Sequence, residues 1–426
     1  MFLLRAIYNL TMRLLTPVIL YRLVWRGLRN REYFWRWRER FGFFPVPGFG
    51  RSIWVHAVSV GEVNAAAPLI EALMQRFAGW PMVVTTVTPT GSAQVLKLFG
   101  DRVFHVYLPY DLPGSVRRFL ARVRPRLALV METEIWPNLF FICRRQNIPI
   151  VIANARLSER SLRGYGLIGP LMRAAIGCAR FVAASSQQDA ARLLTLGAAP
   201  ERTRVVGNVK FDMRVPEGLA QVGEVFREVW GRARPVWIAA STHENEETAV
   251  LRAHTRVLRR FPDALLVIAP RHPERFRPVA HLCRALGFET LTRSDDVVAM
   301  TTTQCFVADT LGELLSFYAA SDIAFVAGSF DPVGGHNVLE PAALAVPVLV
   351  GPHTFNFAEI TENLIREGAA LRVRDAFELG DQVARLFADP GLRRQLGLAG
   401  LAAVERERGA VGRTLAIIAQ VLEPAP

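Results

Sequence analysis

Lysine is nearly absent from this chain of 426 residues, with Lys97 and Lys210 standing against 49 arginines. Almost every cation is therefore a guanidinium, and a lysine set beside a ligand marks a place where a compact point charge is wanted. Cysteine is also scarce: Cys143, Cys178, Cys283 and Cys305 lie far apart, with no paired spacing. That excludes a disulfide framework and a cysteine-rich zinc site, and it points to a reducing, cytoplasmic environment. There is no fixed-period repeat, low-complexity tract or recognised RNA or DNA motif, so solenoids and nucleic-acid modules are disfavoured. No small-residue cleavage site follows the apolar N-terminus, so a removable signal peptide is not expected.

What is present is an apolar fraction of 51%, ample for two domains of roughly 150 to 200 residues each. The net charge of +13 is uneven, because residues 1–40 hold nine arginines against Glu32 and Glu39. These arginines are interleaved with Leu, Ile, Phe and Trp, a mixture that favours an anionic membrane surface over nucleic acid. On a helix, Leu3, Ile7, Leu10, Leu14, Val18, Tyr21 and Trp25 form one stripe, with Arg5, Arg13, Arg22 and Arg26 on the other side. As a span, this segment would gain about 0.3 to 0.6 kcal/mol per Leu, Ile or Val and lose roughly 2.5 to 3.5 at Arg13. Insertion is near break-even, so residues 1–45 are expected to form a basic amphipathic anchor, interfacial or singly spanning. Arg31, Arg36, Arg38 and Arg40 are its candidate contacts with lipid phosphates.

After residue 50, short apolar runs alternate with helical periods. Strands are expected at residues 53–57, 82–86, 103–107, 127–131, 150–153, 181–184 and 204–206. A repeated β-α pattern of this kind implies a parallel sheet covered on both faces. The rhythm breaks at residues 207–234, rich in Gly and Pro, and resumes with strands at 236–240, 265–269, 305–307, 323–327 and 348–350. The expected fold is thus α/β, with two doubly wound Rossmann-like domains, residues 46–215 and 216–426, facing a cleft.

Candidate functional residues sit where strands give way to helices, since ligands in such sheets lie beyond the carboxyl ends of the strands. His56-Ala-Val-Ser-Val-Gly-Glu62 opens the first helix of the first domain; Glu62 is either a first-turn acid favoured by the helix dipole or a group facing substrate. Glu132-Thr-Glu134 ends an apolar strand with two carboxylates that point the same way if the strand continues, an arrangement that is costly without a cation or shared proton. Gly207-Asn-Val-Lys210-Phe-Asp212 supplies the rare lysine. In the second domain, Ser241-Thr-His243-Glu244-Asn-Glu246-Glu247 and Pro270-Arg271-His272 leave their strands toward a phosphate or nucleotide. Asp309-Thr-Leu311-Gly312-Glu313 repeats that geometry, with an N-cap expected within it. In Gly334-Gly335-His336-Asn337-Val338-Leu339-Glu340, the paired glycines would let the backbone approach a ligand. A helix starting near His336 or Asn337 would aim N–H groups at a phosphate, and Glu340 would accept from ribose hydroxyls.

These motifs, taken together and in this order, resemble the Kdo transferases of Gram-negative lipopolysaccharide synthesis, and the likeness runs from the basic N-terminus to about residue 373. The resemblance implies a B-type glycosyltransferase fold. It also implies a donor, CMP-Kdo (Kdo being 3-deoxy-D-manno-oct-2-ulosonic acid), and an acceptor, the tetraacylated lipid A precursor of the inner membrane's cytoplasmic face. By similarity, Glu62 would be the general base of an inverting transfer, with Glu132 and Lys210 stabilising the transition state. Pro270, Arg271, Leu311 to Glu313 and Asn337 to Glu340 would hold CMP. No Asp-X-Asp motif appears in the nucleotide half, so no metal or other cofactor is expected. Two rival readings are a B-type transferase or epimerase using UDP-sugars, which CMP-over-UDP binding would separate, and a non-enzymatic membrane scaffold, in which Glu62→Ala would change nothing.

Overall fold

A computed structural model of the protein describes residues 1–166, 168–295 and 302–423. The chain begins with two helices, α1 (Phe2–Leu14) and α2 (Thr16–Arg29), bent by 41° at Leu15. Pro17, in the first turn of α2, has no N–H to donate to a carbonyl one turn back, so one continuous helix is broken there. No single described helix is long and apolar enough to cross a membrane, although the bent pair together has the length and composition to do so. Tyr8, Met12, Thr16, Ile19, Leu23 and Gly27 are half-buried or buried along one seam. The expected stripe lies on the other side: Leu3, Ile7, Leu10, Leu14, Val18, Tyr21 and Trp25 are all exposed, from 43% at Trp25 to 71% at Tyr21. The segment therefore docks by one narrow face and presents its apolar one outward.

Of the four arginines expected at lipid phosphates, Arg31, Arg36 and Arg38 are exposed. Arg40 is not available for that role: it is buried, donates to the Val87 carbonyl at 2.8 Å and lies 4.3 Å over the Tyr107 ring. Arg36 is also engaged, donating to Glu39 at 2.7 Å and to the His105 carbonyl at 2.6 Å. Arg40 departs from the expectation because charge density in a sequence does not reveal which cations the fold uses to satisfy its own carbonyls.

The first sheet comprises β1 (Ser52–His56), β2 (Met82–Thr86), β3 (Phe104–Tyr107), β4 (Pro125–Met131), β5 (Ile150–Ala155), β6 (Phe181–Ala184) and β7 (Thr203–Val205). All are parallel, in the order β3-β2-β1-β4-β5-β6-β7. Alternate residues feed opposite cores: Trp54, Ala128 and Ile152 pack on one face, and Ile53, Val55 and Leu129 on the other. The second sheet comprises β8 (Val236–Thr242), β9 (Leu265–Pro270), β10 (Thr290–Thr292), β11 (Cys305–Val307), β12 (Ile323–Val326), β13 (Val348–Val350) and β14 (Ala370–Arg372), in the order β10-β11-β9-β8-β12-β13-β14. The order reverses between β1 and β4 in one sheet and beside β8 and β12 in the other, which is where ligands of doubly wound sheets bind.

The compact units are Met1–Met213 with the chain from Glu407 onward, and Arg214–Arg406. The expected second domain, residues 216–426, thus loses its end, of which residues 424–426 lie outside the described ones. The last helix, Ala410–Leu422, places Ala410, Ile417 and Ile418 in the first unit's core, and Asp212 accepts the backbone N–H groups of Gly409 and Val411 at its start.

Candidate active site

In the first unit the candidates gather at the carboxyl ends of β1 and β4. Glu62 is the third residue of α3 (Val60–Arg76) and reaches back across the helix start to accept from the Val58 N–H at 2.9 Å and the Ser59 hydroxyl at 3.4 Å. Half of the first-turn reading is therefore right, since the carboxylate satisfies a backbone group at the helix entry. Burial pushes its carboxyl up to about 7, with the negative charges of Glu132 and Glu134 adding to the shift and the Val58 N–H opposing it. An ordinary carboxylate is a poor proton acceptor at neutrality, whereas one shifted this far is poised there.

β4 stops at Met131, and Glu132 takes a left-handed conformation, φ 56°, while its N–H donates to the Ala153 carbonyl at 2.9 Å. The expectation that Glu132 and Glu134 project together from a continuing strand is therefore corrected, because the backbone turns between them. Burial raises the Glu134 carboxyl, and its oxygen accepts from the Trp136 indole N–H at 3.0 Å. Lys210 sits in the short turn Val209–Asp212, whose entry is capped by Asn208 accepting from the Lys210 N–H at 3.0 Å. Burial lowers the Lys210 ammonium while the charges of Glu132 and Glu62 hold it up. Glu62, Glu132 and Lys210, spread over 149 positions of sequence, are thus within electrostatic reach of one another.

The second unit holds the nucleotide candidates around β8, β9 and β12. Pro270 ends β9, and the Arg271 N–H donates to the Thr242 carbonyl at 3.0 Å, leaving its side chain exposed. Leu311 is exposed, Gly312 has φ 96°, and Glu313 begins the short helix Leu314–Ala319 while its carboxylate takes Arg293 at 3.2 Å. The expected N-cap within this stretch makes no side-chain capping bond to that helix, and the Asp309 carboxylate accepts from the Ser294 N–H at 2.9 Å and the Ser294 hydroxyl.

The glycine turn also differs from expectation. Gly334 and Gly335 both donate their N–H to the Gly328 carbonyl, at 3.1 and 2.7 Å, with φ of 107° and 76°. A Cβ on Gly334 would lie 2.4 Å from the Phe355 ring. The glycines are therefore required by the loop's own closure. No helix starts at His336 or Asn337; the helical turn is only Leu339–Ala342, with Val338 and Leu339 buried in the interior. Asn337 and Glu340 are left as the polar pair, joined by Asn337 Nδ2 donating to Glu340 Oε1 at 3.0 Å. Burial raises the Glu340 carboxyl, opposed by Asn337 and then Arg271.

Two residues that the sequence placed only inside a strand-to-helix motif turn out to organise this site. His243 stacks on His336 with ring centroids 5.2 Å apart and Nε2 atoms 2.9 Å apart, and His272 meets His243 edge-on. Glu246, almost wholly buried, accepts from the N–H groups of Gly328, Ser329 and Phe330 at 2.7, 2.9 and 2.8 Å, clamping the loop that leads to His336. Its signal was present in the spacing of an acid three residues into a helix; its partners, more than eighty residues away, were not. Among the described residues, no three His, Cys, Asp or Glu side chains converge in the manner of metal ligands.

Two parallel-sheet units with the candidate residues near their switch points have the architecture of the B-type glycosyltransferase fold, and solved structures share that fold. A glycosyltransferase from Rickettsia africae matches over 88% of this chain and all of its own, at TM-score 0.56 and 15% identity. A putative UDP-N-acetylglucosamine 2-epimerase from Listeria monocytogenes matches 88% of this chain and 98% of its own, at TM-score 0.54 and 18% identity. The chain belongs to the 3-deoxy-D-manno-octulosonic acid transferase family. It is 40% identical to that transferase of Haemophilus influenzae over 98% of this chain and 99% of the relative, and 38% identical to that of Bordetella pertussis over 96% and 98%. The family model described as 3-Deoxy-D-manno-octulosonic-acid transferase (kdotransferase) matches residues 35–213.

Proposed function

We propose that this chain transfers Kdo from CMP-Kdo to the lipid A precursor in lipopolysaccharide synthesis. The observation that carries the mechanism is Glu62, a carboxylate held near neutrality beside Glu132 and Lys210. Glu62 takes the proton of the acceptor hydroxyl as its oxygen bonds to the anomeric carbon of Kdo. The bond from that carbon to the phosphate oxygen breaks, CMP leaves with the electron pair, and the configuration inverts. Such general-base help is worth about 10² to 10⁴ in rate. Lys210 offsets negative charge around the reacting centre, and Glu132 stabilises the positive charge that develops on the sugar.

In the second unit Arg271 meets the nucleotide phosphate, and Asn337 and Glu340 hold ribose hydroxyls. Pro270, the segment Leu311 to Glu313, and the backbone about Val338 and Leu339 shape the base pocket, with His336 over the phosphate approach. Cations and backbone dipoles balance the leaving group, so the transfer needs no metal. The outward apolar face of α1 and α2, with Arg31 and Arg38 beside it, holds the protein on the anionic inner leaflet where the acceptor lies.

The test is transfer from CMP-Kdo to the tetraacylated acceptor in detergent, wild type beside Glu62→Ala, read by mass spectrometry. Added mass in Kdo units that disappears in the variant, although CMP still binds, supports the whole reading. Wild type that is folded yet adds no mass points instead to a UDP-sugar donor, and full activity in the variant removes Glu62 from the mechanism.

A further inference from the structure

The loop carrying Glu132 and Glu134 runs from the end of β4 into the helix Pro137–Arg145. Its far end is held by Asp111, which is 2% exposed. One carboxylate oxygen accepts from the Asn138 N–H at 2.9 Å and the Tyr8 hydroxyl at 2.9 Å, and the other accepts from the Leu139 N–H at 2.9 Å. The Asn138 side-chain amide returns a bond to the Asp111 carbonyl at 2.7 Å. Asn138 and Leu139 are the second and third residues of their helix, so no intrahelical carbonyl can satisfy their N–H groups, and a carboxylate there also suits the helix dipole. Tyr8 lies on α1, on the side opposite the exposed Leu3, Ile7, Leu10 and Leu14, and Arg5 of the same helix stacks 4.3 Å from Phe141. The first helix therefore grips the catalytic loop's anchor with one face while its other face is bare.

We infer that Asp111 is a positioning residue for the transfer: by joining Tyr8 of α1 to the first turn of the helix Pro137–Arg145, it fixes the loop bearing Glu132 and Glu134, so that seating of the apolar helix sets the geometry of those carboxylates. The inference rests on the role proposed for Glu132. Burial pushes the Asp111 carboxyl up to about 6, while the Asn138 N–H, the Tyr8 hydroxyl and the Leu139 N–H hold it down. The titratable groups facing it are Tyr8 from α1 and Cys143 from the helix, whose thiol burial keeps protonated. Among the described residues no cation offsets its charge, so losing the Tyr8 hydroxyl favours protonation, and a protonated oxygen no longer accepts from the helix N–H groups.

The experiment compares the full-length wild type with Tyr8→Phe and Asp111→Asn, using CMP-Kdo and the tetraacylated acceptor, together with hydrogen exchange of the peptide spanning 132–139. Losing one charge-assisted bond is expected to speed exchange of that peptide about tenfold in Tyr8→Phe. Its kcat should fall by about the same factor near neutral pH, relative to wild type at that pH, and recover about a unit and a half higher as Asp111 ionises. KM for CMP-Kdo should not move. Asp111→Asn, which cannot ionise, should stay low at both pH values. Unchanged exchange, faster exchange with unchanged kcat, or a Tyr8→Phe loss that is the same at every pH would each overturn the inference; if Asp111→Asn does not fold, Tyr8→Phe decides alone. Wild type that transfers no Kdo would remove the functional reading, and the exchange rates would still judge the tie.

Discussion

If Glu62 is the base, the reaction should titrate with it. With its carboxyl at about 7, the ionised fraction is roughly one-tenth a unit below the midpoint and nine-tenths a unit above it, so kcat/KM should rise about tenfold between about pH 6 and 8. A glutamate at its ordinary value, near 4.3, would give a flat profile over the same range. The histidines of the nucleotide site do not compete for this assignment, because burial holds both His243 and His336 down, the latter to about 4. Glu134→Gln is the informative perturbation. It keeps an oxygen for the Trp136 indole and removes one negative neighbour that raises Glu62, so the limb should move toward acid. The assay is product formation at subsaturating donor, with folding checked at each pH. A flat wild-type profile, or a limb that stays put in Glu134→Gln, would refute the reasoning. Linkage gives the stability sign: as pH rises from 4.5 to about 7, the unfolded chain has released a proton that the folded chain still holds, so Glu62 lowers stability progressively across that window.

Four further outcomes follow from the geometry. Glu246→Gln removes a carboxylate that takes three loop N–H groups; it should cost about 3 kcal/mol and weaken CMP binding, measured by thermal denaturation and calorimetry, and an unchanged melting temperature would contradict the clamp. Gly334→Ala, which combines φ 107° with a Cβ 2.4 Å from Phe355, should destabilise by about 2 to 4 kcal/mol, whereas Gly312→Ala, with φ 96° but open space around it, should cost only about 1. Leu10→Ser and Val18→Ser, both on the outward face of the N-terminal pair, should each reduce partitioning to anionic vesicles about tenfold. Arg40→Gln should leave partitioning intact and lower stability, and flotation assays beside thermal melts separate the two effects.

The strands at 82–86, 181–184, 305–307 and 348–350 have the bounds the apolar runs indicated, because a parallel strand buried on both faces needs a continuous apolar segment. Thr290–Thr292 and Ala370–Arg372 escaped notice because each is a three-residue sheet edge, partly exposed, and carries no such run. The candidate motifs around Glu62 and Arg271 were legible for the same reason, since each follows closely on a strand whose end the sequence marks, whereas Asn337 lies at the far end of a long loop after Val326.

Local sequence therefore determined the element types, the doubly wound class of both units and the candidate segments at the strand ends, all of which depend on interactions within a few residues. Tertiary structure alone decided the rest. The left-handed turn at Glu132 depends on pairing with β5, and the burial of Arg40 depends on the Val87 carbonyl just past β2 and the Tyr107 ring of β3. The stacking of His243 on His336, the return of the last helix to the first unit, and the joining of Tyr8 to Asp111 each bring together groups separated by roughly a hundred residues or more. The burial that raises the proton affinity of Glu62 likewise exists only once the first unit has folded around it.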